Sequence, residues 1–199
     1  MASPFYLLTL LALLFLSLSS ETHYVTAKPG TPDLVRSSCI HASYPNLCLQ
    51  TLSSFSNSSQ TPNDIAKAAV TVSLYRARKV SDFLTRLADT NRNSKTRIQG
   101  ALRDCVEQLS DSVDELSRTL SELKHLRSVT FRWQMSNAET WVSAALTNED
   151  TCVDGFYNVE GKVKTDVKRK ISNVAKVTSN ALYLINRLDQ TRGKFEVMD

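Results

Sequence analysis

One stretch of the chain, residues 101–123, constrains the fold more than any other. Its apolar residues recur at steps of three and four, the spacing that places side chains on one face of an α-helix. They are Leu102, Val106, Leu109, Val113, Leu116, Leu120 and Leu123. Mostly charged and polar residues fill the positions between them, and Cys105 lies beside the apolar stripe, one turn before Leu109. A helix with so narrow a stripe needs partner helices to bury it.

Three further segments carry the same periodicity and supply those partners. One helix is predicted to start at Thr61-Pro62-Asn63-Asp64, capped by Thr61 or Asn63, and to end in the turn formers of 89–95. Another spans about 134–157, and the last runs from Gly161 to about Leu188. Glycine and proline are scarce, at five each in 199 residues, and short loops favour antiparallel neighbours. The sequence therefore predicts an all-α, up-down-up-down four-helix bundle over 60–190, followed by a flexible tail at 191–199.

Residues 31–59 precede the bundle and are predicted to form a smaller helical unit. Apolar residues suggest two short helices, one leading to Cys39 and one containing Cys48, on either side of a turn at Tyr44-Pro45-Asn46. We expect a short helical hairpin closed by a disulfide.

The N-terminus has the composition of a secretory signal peptide. Residues 5–18 are almost wholly apolar, and this run is too short to cross a membrane comfortably. Cleavage after Ser19 or after Ala27 fits the small residues there, so 1–27 is the predicted leader. A signal anchor is the less favoured alternative because no basic cluster follows the apolar run. The mature protein is then secreted, with no membrane association.

Secretion places the four cysteines, Cys39, Cys48, Cys105 and Cys152, in an oxidising compartment, where an even number suggests two disulfides. Three pairings are possible, and a local bridge plus a distant bridge is the simplest. Asn57 begins an Asn-Ser-Ser sequon in a serine-rich loop and is a candidate glycosylation site.

A search for catalytic or metal-binding groups finds little. The histidines are His23, His41 and His125, and none has acidic residues or cysteines at metal-ligand spacing on a shared helix face. The sequence also lacks a Glu-x-x-His motif, a glycine-rich phosphate loop and a nucleophile elbow. We expect a protein that is not an enzyme, needs no cofactor or metal, and acts by binding as a monomer or weak dimer.

Charge is unevenly placed along the helices, although the formal net charge is only +4. That charge is too small and scattered to argue for nucleic acid binding. The acidic residues Glu107, Asp111, Asp114 and Glu115 form either a solvated helix face or a recognition surface. The last helix carries Lys164, Lys168, Arg169, Lys170 and Lys176, which form either a solvated face or a weak contact with an acidic polymer.

Four aromatic residues in or just before the third long helix, Trp133, Trp141, Phe156 and Tyr157, are expected in the core or at its edge. The polar run at 148–151 is expected to loosen that helix just before Cys152.

Four segments together resemble the plant invertase and pectin methylesterase inhibitor family. In chain order they are SSCIHASYPNLCLQTL, ALRDCVEQLSDSVDEL, ETWVSAALTNEDTC and NVAKVTSNALYLINRL, and the resemblance covers about 34–188. The family's fold is a four-helix bundle preceded by a helical hairpin. Its bridges join the first cysteine to the second and the third to the fourth, which implies Cys39–Cys48 and Cys105–Cys152 here.

The resemblance also implies a target enzyme. Invertase inhibitors of the family share a Pro-Lys-Phe motif after the third cysteine's helix, and the corresponding stretch here, ELKHLRSVTFRWQM, lacks it. Pectin methylesterase is therefore the expected partner in the cell wall, acid invertase is the alternative, and pectate becomes the candidate acidic polymer. The same bundle also resembles the pro-region that precedes many pectin methylesterases.

Family inhibitors lie across the cleft of the esterase and use three of the four bundle helices, so inhibition would be steric. Helical-face arithmetic assigns the contacts to exposed positions of the first three long helices: Arg76, Lys79, Glu107, Asp111, Asp114, Asn137, Glu139 and Thr140. Because several of these are carboxylates, affinity is expected to depend on wall pH.

Overall fold

A computed structural model of the protein describes residues 34–56, 58, 59, 61–92 and 96–196. Two short helices come first, α1 (Leu34–Cys39) and α2 (Pro45–Leu52). Four long helices follow: α3 (Pro62–Thr90), α4 (Arg97–Lys124), α5 (Phe131–Gly155) and α6 (Lys162–Glu196). Single 3₁₀ turns lie at Ser53–Phe55 and Ser128–Thr130, and these described residues contain no strand.

The four long helices form a closed ring of packing partners. Helix α3 packs against α4, α4 against α5, α5 against α6, and α6 returns to α3. Apart from the α6–α3 contact that closes the ring, neighbours in the ring are neighbours in sequence, as antiparallel helices with short connections require. The prediction of an all-α four-helix bundle behind a helical hairpin is confirmed.

The bundle core consists of two apolar clusters stacked along its axis. One includes Leu116, Leu123 and Phe131 together with the hairpin residues, and the other includes Leu102, Leu109 and Phe156. Along α4 the clusters divide between Leu109 and Leu116, where the buried residue is Ser112. A polar layer therefore separates the two halves of the core.

Helix α3 begins as its sequence predicts. The Thr61 Oγ1 atom accepts a hydrogen bond from the Asp64 N–H, and Asp64 Oδ2 accepts one from the Thr61 N–H, both at 3.1 Å. This is a reciprocal capping box, and Pro62 occupies the first turn, where no hydrogen bond is lost. Of the two candidate caps, Thr61 is the one used.

Two predicted helix boundaries differ from the structure. Helix α5 begins at Phe131 and not at Gln134, because the 3₁₀ turn Ser128–Thr130 leads directly into it. Helix α6 ends at Glu196 and not near Leu188. Residues 189–196 contain no proline and a single glycine, so nothing in them stops the helix. The predicted flexibility of 191–199 concerns motion and stays a prediction.

The hairpin is attached to the bundle at α3 and α6. Cys39 is bonded to Cys48, which holds α1 against α2. Asn180 of α6 accepts a hydrogen bond from the Tyr44 N–H at 2.8 Å and donates one to the Tyr44 C=O at 3.1 Å. Both backbone groups of the hairpin turn are therefore fixed to α6 by one buried side chain.

The predicted leader, 1–27, and the sequon residue Asn57 lie outside the described residues. Within the described ranges, none of the helices combines the length and apolar character needed to span a membrane.

Candidate interaction surface

The bundle has one acidic side and one basic side. Helices α4 and α5 together carry ten acidic and five basic residues. Helix α3 and the 162–191 part of α6 together carry twelve basic and five acidic residues. Because α4 adjoins α5 and α3 adjoins α6, like charge gathers on opposite sides of the ring. We call the exposed residues of α4 and α5 the acidic side, and those of α3 and α6 the basic side.

The acidic side starts above a buried disulfide. Cys105 of α4 is bonded to Cys152 of α5, the predicted pairing, and both are almost fully buried. A shallow depression over this bridge is lined by Asp104 and Glu107 of α4 and by Thr151 and Asp154 of α5. This end of the surface presents carboxylates held by a covalent link between their two helices.

The middle of the acidic side joins α4 to α5 through side chains. The Asn148 amide donates a hydrogen bond to Glu115 Oε2 at 3.0 Å. Burial between the helices raises the pKa of Glu115, with Asp111 and Asp114 adding to the effect against the opposing Asn148 bond. One turn further along, the Arg118 guanidinium lies 6.0 Å from the centroid of the Trp141 ring.

Gln134 organises the far end of the acidic side. Its Oε1 atom accepts hydrogen bonds from the Arg127 N–H and the Thr130 hydroxyl, both at 2.9 Å. Its amide nitrogen donates to Glu122 Oε2 at 3.0 Å and to the His125 C=O at 2.9 Å. One buried side chain thus fixes the whole connection between α4 and α5, a role that no sequence pattern predicts.

Large apolar side chains are exposed near this fixed connection. Val129 is 98% exposed and Trp133 is 72% exposed. The expectation that all four aromatics lie in or beside the core was wrong for Trp133 and also for Tyr157, which is 81% exposed. It was right for the buried Phe156 and the half-buried Trp141. Trp133 misses the core because Gln134 and Met135 occupy the inward positions of that turn.

The structure divides the eight predicted contact residues between different faces. Five lie on the acidic side: Glu107, Asp111 and Asp114 are exposed on α4, Asn137 is half-buried on α5, and Thr140 is exposed on α5. Asn137 donates to Glu122 Oε1 at 3.1 Å, which places it in the groove between the two helices.

The other three predicted contact residues lie elsewhere. Arg76 donates a hydrogen bond to Asn173 of α6, so it faces the basic side. Lys79 is exposed on α3, with its ammonium 4.5 Å from the centroid of the Tyr75 ring. Glu139 lies toward α6, where burial and then Asp189 raise its pKa. A partner that covers the acidic side alone would not reach Arg76.

The sequence reading missed a buried acid, Glu149. Its Oε1 atom accepts hydrogen bonds from the Ser112 hydroxyl at 2.9 Å and the Thr178 hydroxyl at 3.0 Å, while Oε2 is buried without a partner. Burial raises its pKa to about 8. The polar run around it does not loosen the helix, because α5 continues unbroken to Gly155. Its spacing from Ala138, Val142 and Ala145 places Glu149 on the inward stripe of α5. This spacing is the sequence pattern from which its burial could have been predicted.

Within the ranges that the structure describes, no group of three or more histidine, cysteine or acidic side chains is arranged to hold a metal ion. The surface offers charge, hydrogen-bonding groups and an exposed tryptophan, Trp133, which are components of a protein-binding site.

Comparison with known proteins finds a family match over most of the chain. Residues 33–184 match the family described as plant invertase/pectin methylesterase inhibitor. Pectinesterase inhibitor 3 of Arabidopsis thaliana is 54% identical over 172 residues, which cover 83% of each chain. Pectinesterase inhibitor 9 of the same plant is 40% identical over 195 residues, which cover 94% of each chain.

Solved structures show the same fold. A crystal structure of a mutant form of a pectin methylesterase inhibitor from Arabidopsis superposes with a TM-score of 0.62, covering 74% of this chain and 92% of that one at 22% identity. A second crystal structure of an Arabidopsis thaliana inhibitor gives a TM-score of 0.56 at 21% identity. The family match, the relatives and the shared bundle agree, and the chain is a member of the plant invertase and pectin methylesterase inhibitor family.

Proposed function

We propose that this protein is a secreted inhibitor of pectin methylesterase that forms a 1:1 complex and blocks the enzyme's pectin-binding cleft. The observation that carries the proposal is its 54% identity to a pectinesterase inhibitor over 83% of both chains. The inhibitor performs no reaction itself. It slows the release of methanol from esterified pectin by excluding the polymer from the cleft.

The acidic side is the surface that we propose for docking. The hydrogen bonds of Gln134 hold its far end rigid, so little conformational freedom is lost when a partner binds. Trp133 and Val129 offer exposed apolar area of the kind that anchors interfaces. Glu107, Asp111 and Asp114 offer carboxylates to cationic groups of the enzyme.

Action in the cell wall fits two features of the chain. The apolar run at 5–18 has the length of a signal-peptide core. The two disulfides, Cys39–Cys48 and Cys105–Cys152, are typical of proteins that fold in an oxidising compartment.

The test is a pair of inhibition assays with the oxidised, secreted protein. We expect it to slow methanol release by a plant pectin methylesterase and to leave sucrose hydrolysis by a plant acid invertase unchanged. The double variant Glu107→Lys with Asp111→Lys should weaken inhibition by about tenfold or more, since it reverses charge at two exposed points of the proposed interface.

The matched control is Glu160→Lys with Asp166→Lys, which makes the same change in net charge away from the acidic side. It should inhibit as well as the unaltered protein. Inhibition of invertase alone, or of neither enzyme at a saturating concentration, would overturn the proposed function. Equal weakening by both double variants would leave the function standing and reject the acidic side as the interface.

A further inference from the structure

The basic side of the bundle lies opposite the acidic side that we propose for enzyme docking. Along the 162–191 part of α6, four cationic residues are exposed: Lys162, Lys168, Arg169 and Lys176. Lys162 and Lys176 are fourteen residue steps apart, or about 21 Å of helix at the usual rise of about 1.5 Å per residue. The basic side therefore presents a row of positive charge and not a single cluster.

Most of this row carries no compensating charge. Arg169 lies 3.4 Å from Asp166. Among the described residues, Lys162, Lys168 and Lys176 have no acidic partner within ion-pair distance. Opposite charge from a ligand would meet cations that the fold leaves unneutralised, with little side-chain interaction to break first.

Aromatic rings accompany the cations. The Lys176 ammonium lies 5.5 Å from the centroid of the Tyr44 ring, which is 41% exposed at the hairpin turn. The Lys170 ammonium lies 4.7 Å from the Phe83 centroid. Tyrosine offers an apolar ring face with a hydroxyl at its edge, which suits the C–H face and hydroxyls of a sugar ring. Asn180 holds the backbone of Tyr44 against α6, so this ring is positioned by the fold.

We propose that the row of cations on α6, together with Tyr44, binds a linear polysaccharide that carries free carboxylates, and that it does so independently of enzyme docking. A polyuronate matches both features of the surface, because its charges repeat along a line and its units are sugar rings. The choice of polymer rests on the proposed function, since hydrolysis of a pectin methyl ester leaves a carboxylate on the sugar. The enzyme's product is thus the ligand of the basic side.

The experiment measures binding of the full mature protein to immobilised polygalacturonate. The test variant is Lys162→Gln, Lys168→Gln and Lys176→Gln. The control is Arg97→Gln, Arg103→Gln and Lys124→Gln, which removes the same three charges from exposed positions of α4. We expect the α6 variant to bind roughly tenfold or more weakly and the α4 variant to change less than about twofold. Wild-type binding should fall steeply between about 50 and 200 mM salt.

Two further ligands separate this proposal from general polyanion binding. Fully methyl-esterified polygalacturonate has the same sugars without the charge and should not bind. Duplex DNA carries phosphates in place of carboxylates and should bind more weakly. Equal loss in the two triple variants, tighter or equal binding to DNA, or no binding to polygalacturonate would each overturn the proposal.

Failure of this inference is distinguishable from failure of the proposed function. The α6 variant should inhibit the esterase normally in solution, because its altered residues lie outside the docking surface. Intact inhibition without polymer binding would reject the inference alone, and polymer binding without inhibition would reject the proposed function alone.

Discussion

Glu149 makes the core of this bundle sensitive to protons. It is fully buried on α5 between the two apolar clusters, and it joins three helices through the hydroxyls of Ser112 on α4 and Thr178 on α6. The charged groups that act on it are Asp150 beside it and Glu115 on α4, and both raise its pKa further. With acidic neighbours, the buried site favours the neutral acid.

The pH dependence of stability follows from this shift. The pKa of Glu149 rises from its ordinary value of 4.5 to about 8 in the folded protein, so the folded state holds the proton more tightly than the unfolded chain. The stabilisation that the folded state gains from holding this proton is complete below pH 4.5 and is lost as the pH rises toward about 8. We expect the free energy of unfolding to fall over this range by an amount on the order of 3 kcal/mol.

Glu149→Gln isolates this effect, since an amide keeps the shape and the acceptor for both hydroxyls but does not titrate. Chemical denaturation of both proteins between pH 5 and pH 8 should show a shallower pH dependence for the variant. The other titrating groups are common to the two proteins and cancel in the comparison. Parallel curves would mean that Glu149 does not hold a proton in the folded core.

At the scale of the structural elements, the two disulfides close loops of very different length. Cys39–Cys48 closes a short hairpin, with a sequence separation of 9. Cys105–Cys152 ties α4 to α5 across a separation of 47. If a bridge acts by restricting the unfolded chain, the longer loop gives the larger stabilisation.

Replacing each pair by alanine should therefore rank the bridges. We expect Cys105→Ala with Cys152→Ala to lower the free energy of unfolding by about 4 kcal/mol, and Cys39→Ala with Cys48→Ala by about 2.7 kcal/mol. Denaturant titration at neutral pH measures both. An equal loss would show that packing lost around the sulfur atoms, and not loop length, sets the effect.

At the same scale, helical periodicity predicted the elements well because burial of a stripe dominates their energetics. The stripe Leu102–Leu123 predicts α4 and its need for partner helices without any contact being known. Interactions that depend on particular side-chain partners do not follow from periodicity. Gln134 fixes a whole connection, yet its four partners, all within residues 122–130, come within its reach only because the chain folds back between α4 and α5. Trp133 was placed in or beside the core on its residue type alone, although its position in the helix turns it outward.

The candidate site was predicted less completely than the fold. Exposure of Glu107, Asp111 and Asp114 followed from the narrow stripe of α4. Which faces of different helices lie together depends on their packing order and rotation, which one sequence does not reveal. For this reason Arg76 and Glu107 were grouped, although Arg76 faces α6 and Glu107 lies above the α4–α5 bridge.

For the whole molecule, separation of charge onto opposite sides allows two partners at once. If the acidic side covers the enzyme and the basic side holds the polymer, neither contact obstructs the other. The inhibited enzyme should then be retained on polygalacturonate through its inhibitor.

A retention experiment tests this expectation. The enzyme is saturated with either the wild-type inhibitor or the Lys162→Gln, Lys168→Gln, Lys176→Gln variant, and both complexes are applied to immobilised polygalacturonate. Because the cleft is covered in both, the wild-type complex should elute at clearly higher salt than the variant complex. Identical elution would show that the basic side is inaccessible or inactive in the complex.

The placement of opposite charge on opposite sides would also make inhibition change as hydrolysis of the polymer proceeds. Each ester that the enzyme hydrolyses adds a negative charge to the wall, and each such charge raises the local concentration of an inhibitor whose basic side is attracted to it. Inhibition would then grow where hydrolysis has already gone furthest and fade where the polymer is still esterified. A small helical bundle would in this way supply negative feedback, because the number of free carboxylates on the polymer measures how far the reaction has gone.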